Sequence, residues 1–167
     1  GWSTNDHPHA FANVPVGTAA AQVSELMERY RPQVVVTYDE TGGSGYGHPD
    51  HVQAHRVAVA AFRGSGIADK LYYTAIPRSA ITNMVATMRE AGIDLDFEPG
   101  DDFGVPDDQV HAVVDVSAYL DRKLKALQAH ASQGDNIFPL RMPPQVQQQV
   151  FSYEAFTRVH TRVTTPD

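Results

Sequence analysis

The side chains best suited to chemistry lie in one short stretch of the chain. Among residues 37–51 the candidates are Tyr46, His48, His51, Asp39 and Asp50. An imidazole can bind a metal or move a proton, and a nearby carboxylate can fix its tautomer or act on a substrate. We therefore take His51 as a candidate metal ligand, and Asp50 as a candidate acid/base group or partner of a site histidine.

The same stretch holds four of the chain's 12 glycines, which are Gly42, Gly43, Gly45 and Gly47. A glycine loop before the start of a helix can cradle an anion. This loop lacks the Lys-Ser/Thr ending of a P-loop and the spacing of a dinucleotide-binding fingerprint. Phosphate or nucleotide binding is therefore the weaker hypothesis.

Three residues in this region allow two interpretations each. Tyr46 is either a core aromatic residue or a hydroxyl donor on a loop that its flanking glycines let move. Asp39 is either a turn cap or a site carboxylate. His55 follows His51 by four residues, a spacing that can chelate a metal on one helix face, but the Glu of the zincin motif is missing and a packing or surface histidine is favoured.

The composition limits the possible partners. Lys and Arg number 13 against 20 Asp and Glu, and the formal charge of -7 favours a small molecule over nucleic acid or anionic lipid. The chain has no cysteine, so a zinc site would use nitrogen and oxygen ligands. No apolar run is long enough for a membrane span, and we expect a cytoplasmic protein.

Hydrophobic patterns predict the elements that position this stretch. Apolar spacing predicts a helix over residues 16–30, and the valine-rich run of residues 33–38 predicts a strand buried on both faces. The glycine loop then leads to a helix from Pro49 to Gly64, a strand over residues 70–76 and a helix from Pro77 to Gly92. This alternation predicts an α/β sandwich with a parallel sheet.

The second half of the chain is patterned less strongly. An acidic, turn-rich connection over residues 92–109 precedes an apolar run at residues 112–116 and a helix that Ser117 can cap. Residues 134–144 are predicted to form a loop, and residues 145–159 a short polar helix followed by an extended segment. The 167 residues, 42% of them hydrophobic, fit a single domain.

Three segments resemble the LmbE-like, or PIG-L, family of zinc-dependent N-deacetylases, which includes enzymes of the mycothiol pathway. These segments are Val35-Val36-Thr37-Tyr38-Asp39, Gly45-Tyr46-Gly47-His48-Pro49-Asp50-His51 and Ala129-His130-Ala131-Ser132-Gln133. The Gly-His-Pro-Asp-His part is the most specific, and the resemblance covers essentially the whole chain in order.

The resemblance implies a Rossmann-like three-layer sandwich with a mainly parallel sheet and one zinc ion. It implies hydrolysis of the acetamide of an N-acetylglucosamine-type or mycothiol-related substrate, which releases acetate and a free amine. Carried over by position, His51 is a zinc ligand and Asp50 orients a site histidine. In the same way, His48 donates a proton to the leaving amine or stabilises the oxyanion, and Tyr46 hydrogen-bonds the oxyanion.

The chain departs from the family pattern in two places. The family's other zinc ligands and its general-base aspartate belong to an N-terminal His-Pro-Asp-Asp-Glu-like motif, whereas His7-Pro8-His9 lacks the carboxylates. We therefore expect residues 1–167 to be one deacetylase-type domain without its first βα units, which are lost or supplied as a separate N-terminal fragment. With one zinc ligand such a chain should be inactive alone. The second departure is Ser44-Gly45, which looks like an insertion before Tyr46.

A second hypothesis is a non-catalytic sugar-binding or accessory module of the same fold. Its ligand binding would not respond to chelators, whereas a zinc hydrolase would. Neither hypothesis assigns a role to Asp39, His55 or His130.

Overall fold

The computed structural model describes residues 6–93, 100, 103–130, 132 and 138–164. In chain order its helices and strands are α1 (Val16–Tyr30), β1 (Val34–Thr37), α2 (Pro49–Ser65), β2 (Lys70–Ala75), α3 (Arg78–Glu90), β3 (Ala112–Asp115), α4 (Leu120–Gln128), α5 (Phe138–Arg141), α6 (Pro144–Phe151) and β4 (Tyr153–Thr161). The helices and strands predicted between residues 16 and 92 all form, but the expectation that the first strand is buried on both faces is wrong for the described residues, because Val34 and Val36 on one of its faces are 45% and 49% exposed. The loop prediction for residues 134–144 is wrong at residues 138–141, where α5 forms. Residues 94–99, 101 and 102 of the acidic connection lie outside the described residues.

The four strands form one mixed sheet in the order β1-β2-β4-β3. β1 and β2 are parallel, with Val34 opposite Lys70 and Thr37 opposite Tyr73. β4 is antiparallel to both of its neighbours, β2 and β3. The α/β prediction is confirmed, but the expectation of a mainly parallel sheet is wrong for the described strands, because one of their three pairings is parallel.

The reason for this difference is the position of β4. The extended segment predicted near the end of the chain is a nine-residue strand, and it occupies the place beside β2. The chain reaches it through the short helices α5 and α6 and enters it from the opposite end. A strand that is not preceded by a crossover from its neighbour has no reason to be parallel to it.

α1 and α2 pack together on β1 and β2. Their shared core consists of Ala19, Ala20, Met27, Val57, Ala61, Phe62, Ala68 and Leu71. Phe62 is 2% exposed, and its ring contacts His160 edge to face and the Arg162 guanidinium at 4.9 Å. Nη1 of Arg162 also donates a hydrogen bond to the Ala68 carbonyl at 3.1 Å. The end of β4 is therefore fixed to the same core as α2.

A smaller apolar cluster joins α3 to α6 through Met84, Met88, Met142 and Val146. In the part of the chain that the structure describes, no helix has the length and apolar character needed to cross a membrane. Because β1 and β2 are parallel, their carboxyl ends lie at the same end of the sheet, and the loop from β1 to α2 lies there.

Replacing Phe62 by Ala should lower the free energy of unfolding by about 3–5 kcal/mol, because the ring fills the centre of the α1–α2 core and the cavity would not close completely. Denaturant unfolding followed by circular dichroism measures this. Tyr30→Ala is the control, because Tyr30 is 68% exposed at the end of α1 and its loss should change stability by about 0.5 kcal/mol or less. Equal losses in the two variants would contradict this description of the core.

Candidate functional site

The loop after β1 is organised around the carboxylate of Asp39. Its Oδ1 accepts hydrogen bonds from the Thr41 backbone N–H, the Thr41 hydroxyl and the Gly43 N–H, at 2.9, 2.6 and 3.0 Å. Its Oδ2 accepts one from the Ser44 N–H at 2.7 Å. Of the two interpretations the sequence leaves open, the structure supports the turn cap, because the loop itself satisfies this buried carboxylate.

The hydrogen bonds also determine the charge state of Asp39. Burial alone raises the pKa of this carboxyl, but the bonds from Thr41, Gly43 and Ser44 together outweigh burial and hold its pKa below the ordinary value. The group is therefore an anion at neutral pH, and it stabilises the loop in that form.

Two further contacts connect the loop to its surroundings. Gly42 has a φ of +78°, and a Cβ there would lie 3.2 Å from the His48 carbonyl oxygen, so the loop approaches the start of α2 as closely as its backbone allows. Ser44 is buried; its hydroxyl accepts from the Ile76 N–H at 3.1 Å, and its carbonyl accepts from the Gly104 N–H at 2.8 Å. The apparent insertion Ser44-Gly45 thus braces the loop against the end of β2.

His51 lies in the first turn of α2 and is held at one ring nitrogen. Its Nδ1 is 3.0 Å from the Gly42 carbonyl oxygen. Because a carbonyl only accepts, Nδ1 carries the proton and Nε2 of the neutral ring keeps its lone pair. Histidines that bind metals through Nε2 commonly donate Nδ1–H to such a carbonyl. His51 therefore fits the requirements for one zinc ligand.

His48 is the N-cap residue of α2. Its Nδ1 accepts a hydrogen bond from the Asp50 N–H at 3.2 Å, and Pro49 follows as the first helical residue. With Nδ1 accepting, the neutral ring carries its proton on Nε2. The His48 ring lies 4.8 Å from that of His51, measured between centroids.

Tyr46 lies beside the two histidines, with its ring centroid 5.5 Å from that of His51 and 6.4 Å from that of His48. It is 46% exposed on the loop, so the interpretation as a core residue is wrong, and its role as a hydroxyl donor stays a prediction. Burial and the nearby Tyr38 hydroxyl raise the pKa of Tyr46 above its ordinary value. The hydroxyl therefore stays protonated, and able to donate, at neutral pH.

Tyr38 is a member of this cluster that the sequence analysis did not single out as a site residue. Its ring lies parallel to that of His51, with 4.0 Å between centroids and 2° between planes. A tyrosine at the end of a predicted strand carries no sequence signal that separates a site residue from a core residue. The structure thus gathers Tyr38, Tyr46, His48 and His51 at the carboxyl end of β1.

The remaining residues considered in the sequence are Asp50, His55 and His130. Oδ1 of Asp50 accepts from the Ala12 N–H at 3.0 Å, which connects α2 to the turn that precedes α1. Nδ1 of His55 lies 3.0 Å from the Tyr38 carbonyl oxygen, and its ring packs edge to face on Tyr73. His130 is exposed after α4, and residues 131 and 133 of its motif lie outside the described residues.

Within the ranges that the structure describes, no group of three or more His, Asp or Glu side chains is placed to hold a metal ion. A catalytic zinc uses three protein ligands. His51 can supply one of them.

Asp39→Asn should lower the free energy of unfolding at neutral pH by about 2 kcal/mol, because it replaces a charged acceptor of four hydrogen bonds. The lowered pKa of Asp39 also predicts how the free energy of unfolding changes with pH. The stability contributed by the anion is complete above the ordinary carboxyl pKa and is lost as pH falls through the lower folded value.

Denaturant unfolding from neutral to acidic pH measures both effects. The Asp39→Asn curve should fall less steeply on the acid side than that of the unmodified protein. Glu40→Gln removes a charge from the exposed neighbouring position and serves as the control. Unchanged stability of Asp39→Asn at neutral pH would show that the loop does not depend on this carboxylate.

Comparison with known proteins connects this site to a family. Residues 4–62 match the family model PIG-L, described as GlcNAc-PI de-N-acetylase, and this stretch contains the whole cluster. A protein of Acidothermus cellulolyticus named "1D-myo-inositol 2-acetamido-2-deoxy-alpha-D-glucopyranoside deacetylase" is 45% identical over 139 residues, which cover 80% of this chain and 47% of that protein.

Two further relatives carry the same name. The Thermobifida fusca protein is 38% identical over 182 residues, covering 96% of this chain and 60% of its own length. The Mycobacteroides abscessus protein is 40% identical over 129 residues, which cover 76% of this chain and 46% of that protein. The chain thus spans about half the length of the curated relatives it matches. The family match over the site and the identity across most of the chain confirm the resemblance seen in the motifs, and the chain belongs to the PIG-L family.

Proposed function

We propose that this protein acts in the hydrolysis of the acetamide of an N-acetylglucosamine-type conjugate, as the names of its relatives describe for them. Water adds to the amide carbon, the carbon–nitrogen bond breaks, and acetate and a free amine leave. The observation that carries the proposal is the cluster of Tyr46, His48 and His51, which presents one metal-type nitrogen beside two hydrogen-bond donors.

We propose zinc as the metal, as the family resemblance implies, because zinc binds neutral imidazole nitrogen. His51 would hold it through Nε2, because Nδ1 is occupied by the Gly42 carbonyl. When bound, zinc lowers the pKa of a coordinated water to about 7 and polarises an amide carbonyl. The other two protein ligands and the general base would come from parts of the full-length protein outside the described residues.

The hydrogen bond at Nδ1 of His48 favours one of its two proposed roles. If Nδ1 of His48 were protonated, it would face the Asp50 N–H with a second donor, and the hydrogen bond that caps α2 would be lost. The neutral ring, in contrast, presents Nε2–H as a donor without disturbing the helix. The geometry therefore favours His48 as a hydrogen-bond donor to the tetrahedral oxyanion over His48 as the acid that protonates the leaving amine.

Tyr46 would be the second donor to the oxyanion. Its raised pKa keeps the O–H intact, and its place between two glycines on a half-exposed loop lets it approach a bound substrate. Asp50 lies one residue from His51, but its Oδ1 accepts from the Ala12 N–H. Its proposed role is therefore to hold the start of α2 in place, and through it the site histidines.

The surrounding domain is proposed to be a Rossmann-like three-layer sandwich in the full-length protein. β1 is an edge strand in the described sheet, yet Val34 and Val36 are 45% and 49% exposed on it. The two valines share one face of β1, so helices packed on that face would cover them, and a further parallel strand would pair with the open edge of β1 and end near His51. Preceding βα units, in the same chain or as a separate fragment, would supply both. A cytoplasmic location stays a prediction.

The alternative, a sugar-binding module without a catalytic metal, is favoured by one observation. Among the described residues His51 is not joined by two further metal-type side chains. The two functions separate in a chelator experiment, because only the hydrolase requires zinc.

The full-length protein should contain about one zinc per chain, and His51→Ala should lower its zinc content several-fold, because a catalytic site of three ligands would lose one of them. Metal analysis of the purified protein together with its intact mass measures this. His111→Ala is the control, since His111 lies beside β3, where its Nδ1 accepts from the Arg158 N–H. A zinc-free protein that binds acetylated glucosaminides in the presence of chelator would favour the module instead.

His48→Asn should lower kcat by about 100- to 1000-fold, the usual effect of removing an oxyanion donor, while leaving the free energy of unfolding almost unchanged. An asparagine side chain can accept from the Asp50 N–H and so replace the cap. His48→Ala should show the same fall in kcat, and its free energy of unfolding should also fall by about 1 kcal/mol because the cap is lost. Deacetylation assays with unfolding curves on both variants test this, and full activity in His48→Asn would remove the assigned role.

A further inference from the structure

α2 presents two histidines to the loop after β1, and each binds a loop carbonyl through the same ring nitrogen. Nδ1 of His51 lies 3.0 Å from the Gly42 carbonyl oxygen, and Nδ1 of His55 lies 3.0 Å from the Tyr38 carbonyl oxygen. The two histidines are four residues apart and share a helix face. Together they hold both ends of residues 38–42.

One hydrogen bond does not fix the orientation of the His51 ring. The bond at Nδ1 sets the tautomer and one point of the ring, but small changes in the two side-chain torsions of His51 can still tilt the ring while Nδ1 keeps its carbonyl. Such a tilt would change the direction of Nε2. A catalytic ligand has to point at one position, so the ring needs a second contact.

The ring of Tyr38 provides that second contact. It is nearer to His51 and more nearly parallel than any other described ring, at 4.0 Å and 2°, whereas His48 lies at 4.8 Å and 29°. Tyr38 is itself confined, because a Cβ on Gly43 would lie 3.2 Å from its Cδ1. The backbone of Gly43 therefore packs directly against the Tyr38 ring.

His55 holds the backbone of Tyr38 in place. Its Nδ1–H donates to the Tyr38 carbonyl, and its ring packs edge to face on Tyr73 of β2, with 5.2 Å between centroids and 67° between planes. The histidine is thus fixed between the loop and the sheet. Because its ring also packs on Tyr73, we assign His55 to holding the loop against the sheet.

We propose that Tyr38 is a positioning residue for His51: its ring fixes the plane of the imidazole and hence the direction of Nε2, and His55 fixes Tyr38. The consequence for catalysis rests on the proposed deacetylase function, whereas the effect on the His51 ring does not. The hydroxyl of Tyr38 is not required for this role, so a phenylalanine should replace it.

The first test uses the metal-free chain and reads the tautomer of the His51 ring by nitrogen NMR at one alkaline pH. The unmodified protein and Tyr38→Phe should show a single Nδ1–H tautomer of His51. Tyr38→Leu and His55→Leu should show a mixture of tautomers, because the ring can leave the Gly42 carbonyl. A single Nδ1–H tautomer in Tyr38→Leu would overturn the proposal.

A folding control accompanies each variant, because leucine at these positions could disturb the loop. The Gly43 and Ser44 N–H groups donate to Asp39, so their protection from hydrogen exchange reports the Asp39 turn and should not change. If that protection is lost in Tyr38→Leu, the Tyr38→Met variant, which is unbranched and fills similar space, decides in its place: a tautomer mixture in it supports the proposal and a single tautomer overturns it.

The second test measures deacetylation and zinc affinity in the full-length protein. Tyr38→Leu should lower kcat and zinc affinity by about 10- to 100-fold with little change in KM, and Tyr38→Phe should restore both. Unchanged kcat in a Tyr38→Leu protein with mixed tautomers would overturn the catalytic consequence. Absence of deacetylase activity in the unmodified protein would instead refute the proposed function, while the NMR result would still decide the role of Tyr38.

Discussion

The buried carboxylate of Asp39 is the interaction on which the rest of the site depends. An anion removed from water costs several kcal/mol unless donors surround it, and here four donors from residues 41–44 do so. To reach it, the backbone has to turn sharply, which is why glycines with positive φ stand at positions 42 and 43. The turn then sets where Gly42 offers its carbonyl and where Ser44 meets the end of β2.

His48, His51 and His55 each form a hydrogen bond between Nδ1 and the backbone. Whether the backbone group is a donor or an acceptor determines whether Nε2 carries a proton or a lone pair. His48 accepts from an N–H, so its Nε2 carries a proton and can donate. His51 donates to a carbonyl, so its Nε2 has a lone pair and can bind a metal. His55 also donates to a carbonyl, but its ring packs on Tyr73. Neighbouring imidazoles thus acquire different chemistry from the same helix start.

Local features of the chain were predictable from sequence, and features set at long range were not. Pro15, Pro49 and Pro77 flank helix starts, and the β-branched run Val34–Val36 is typical of a strand, so α1 to α3 and both parallel strands follow from local rules. The direction of β4 depends on which end of the sheet the chain reaches after α6, and no local pattern encodes that.

The site divides in the same way. His48 and His51 were predictable because a specific motif contains them, but the partners that orient them are set by the fold. Asp50 bonds to Ala12, which is 38 residues away in sequence, and Ser44 bonds to Ile76. Tyr38 gave no signal because an aromatic residue that ends a strand is ordinary in any sheet. Asp39 was ambiguous because both a cap and a catalytic carboxylate commonly follow a strand.

The sheet also limits where further ligands for a zinc on His51 could come from. Parallel strands bring the loops that follow them to one end of the sheet, so we expect a second metal ligand beside His51 to follow a strand that neighbours β1. On one side that strand is β2, whose end is occupied by the contact of Ile76 with Ser44. On the other side is the open edge of β1 in the described sheet. A parallel strand paired there would satisfy the free backbone groups of β1 and would bring the loop that follows it to the same end of the sheet as His51, which is where we expect a further ligand to come from.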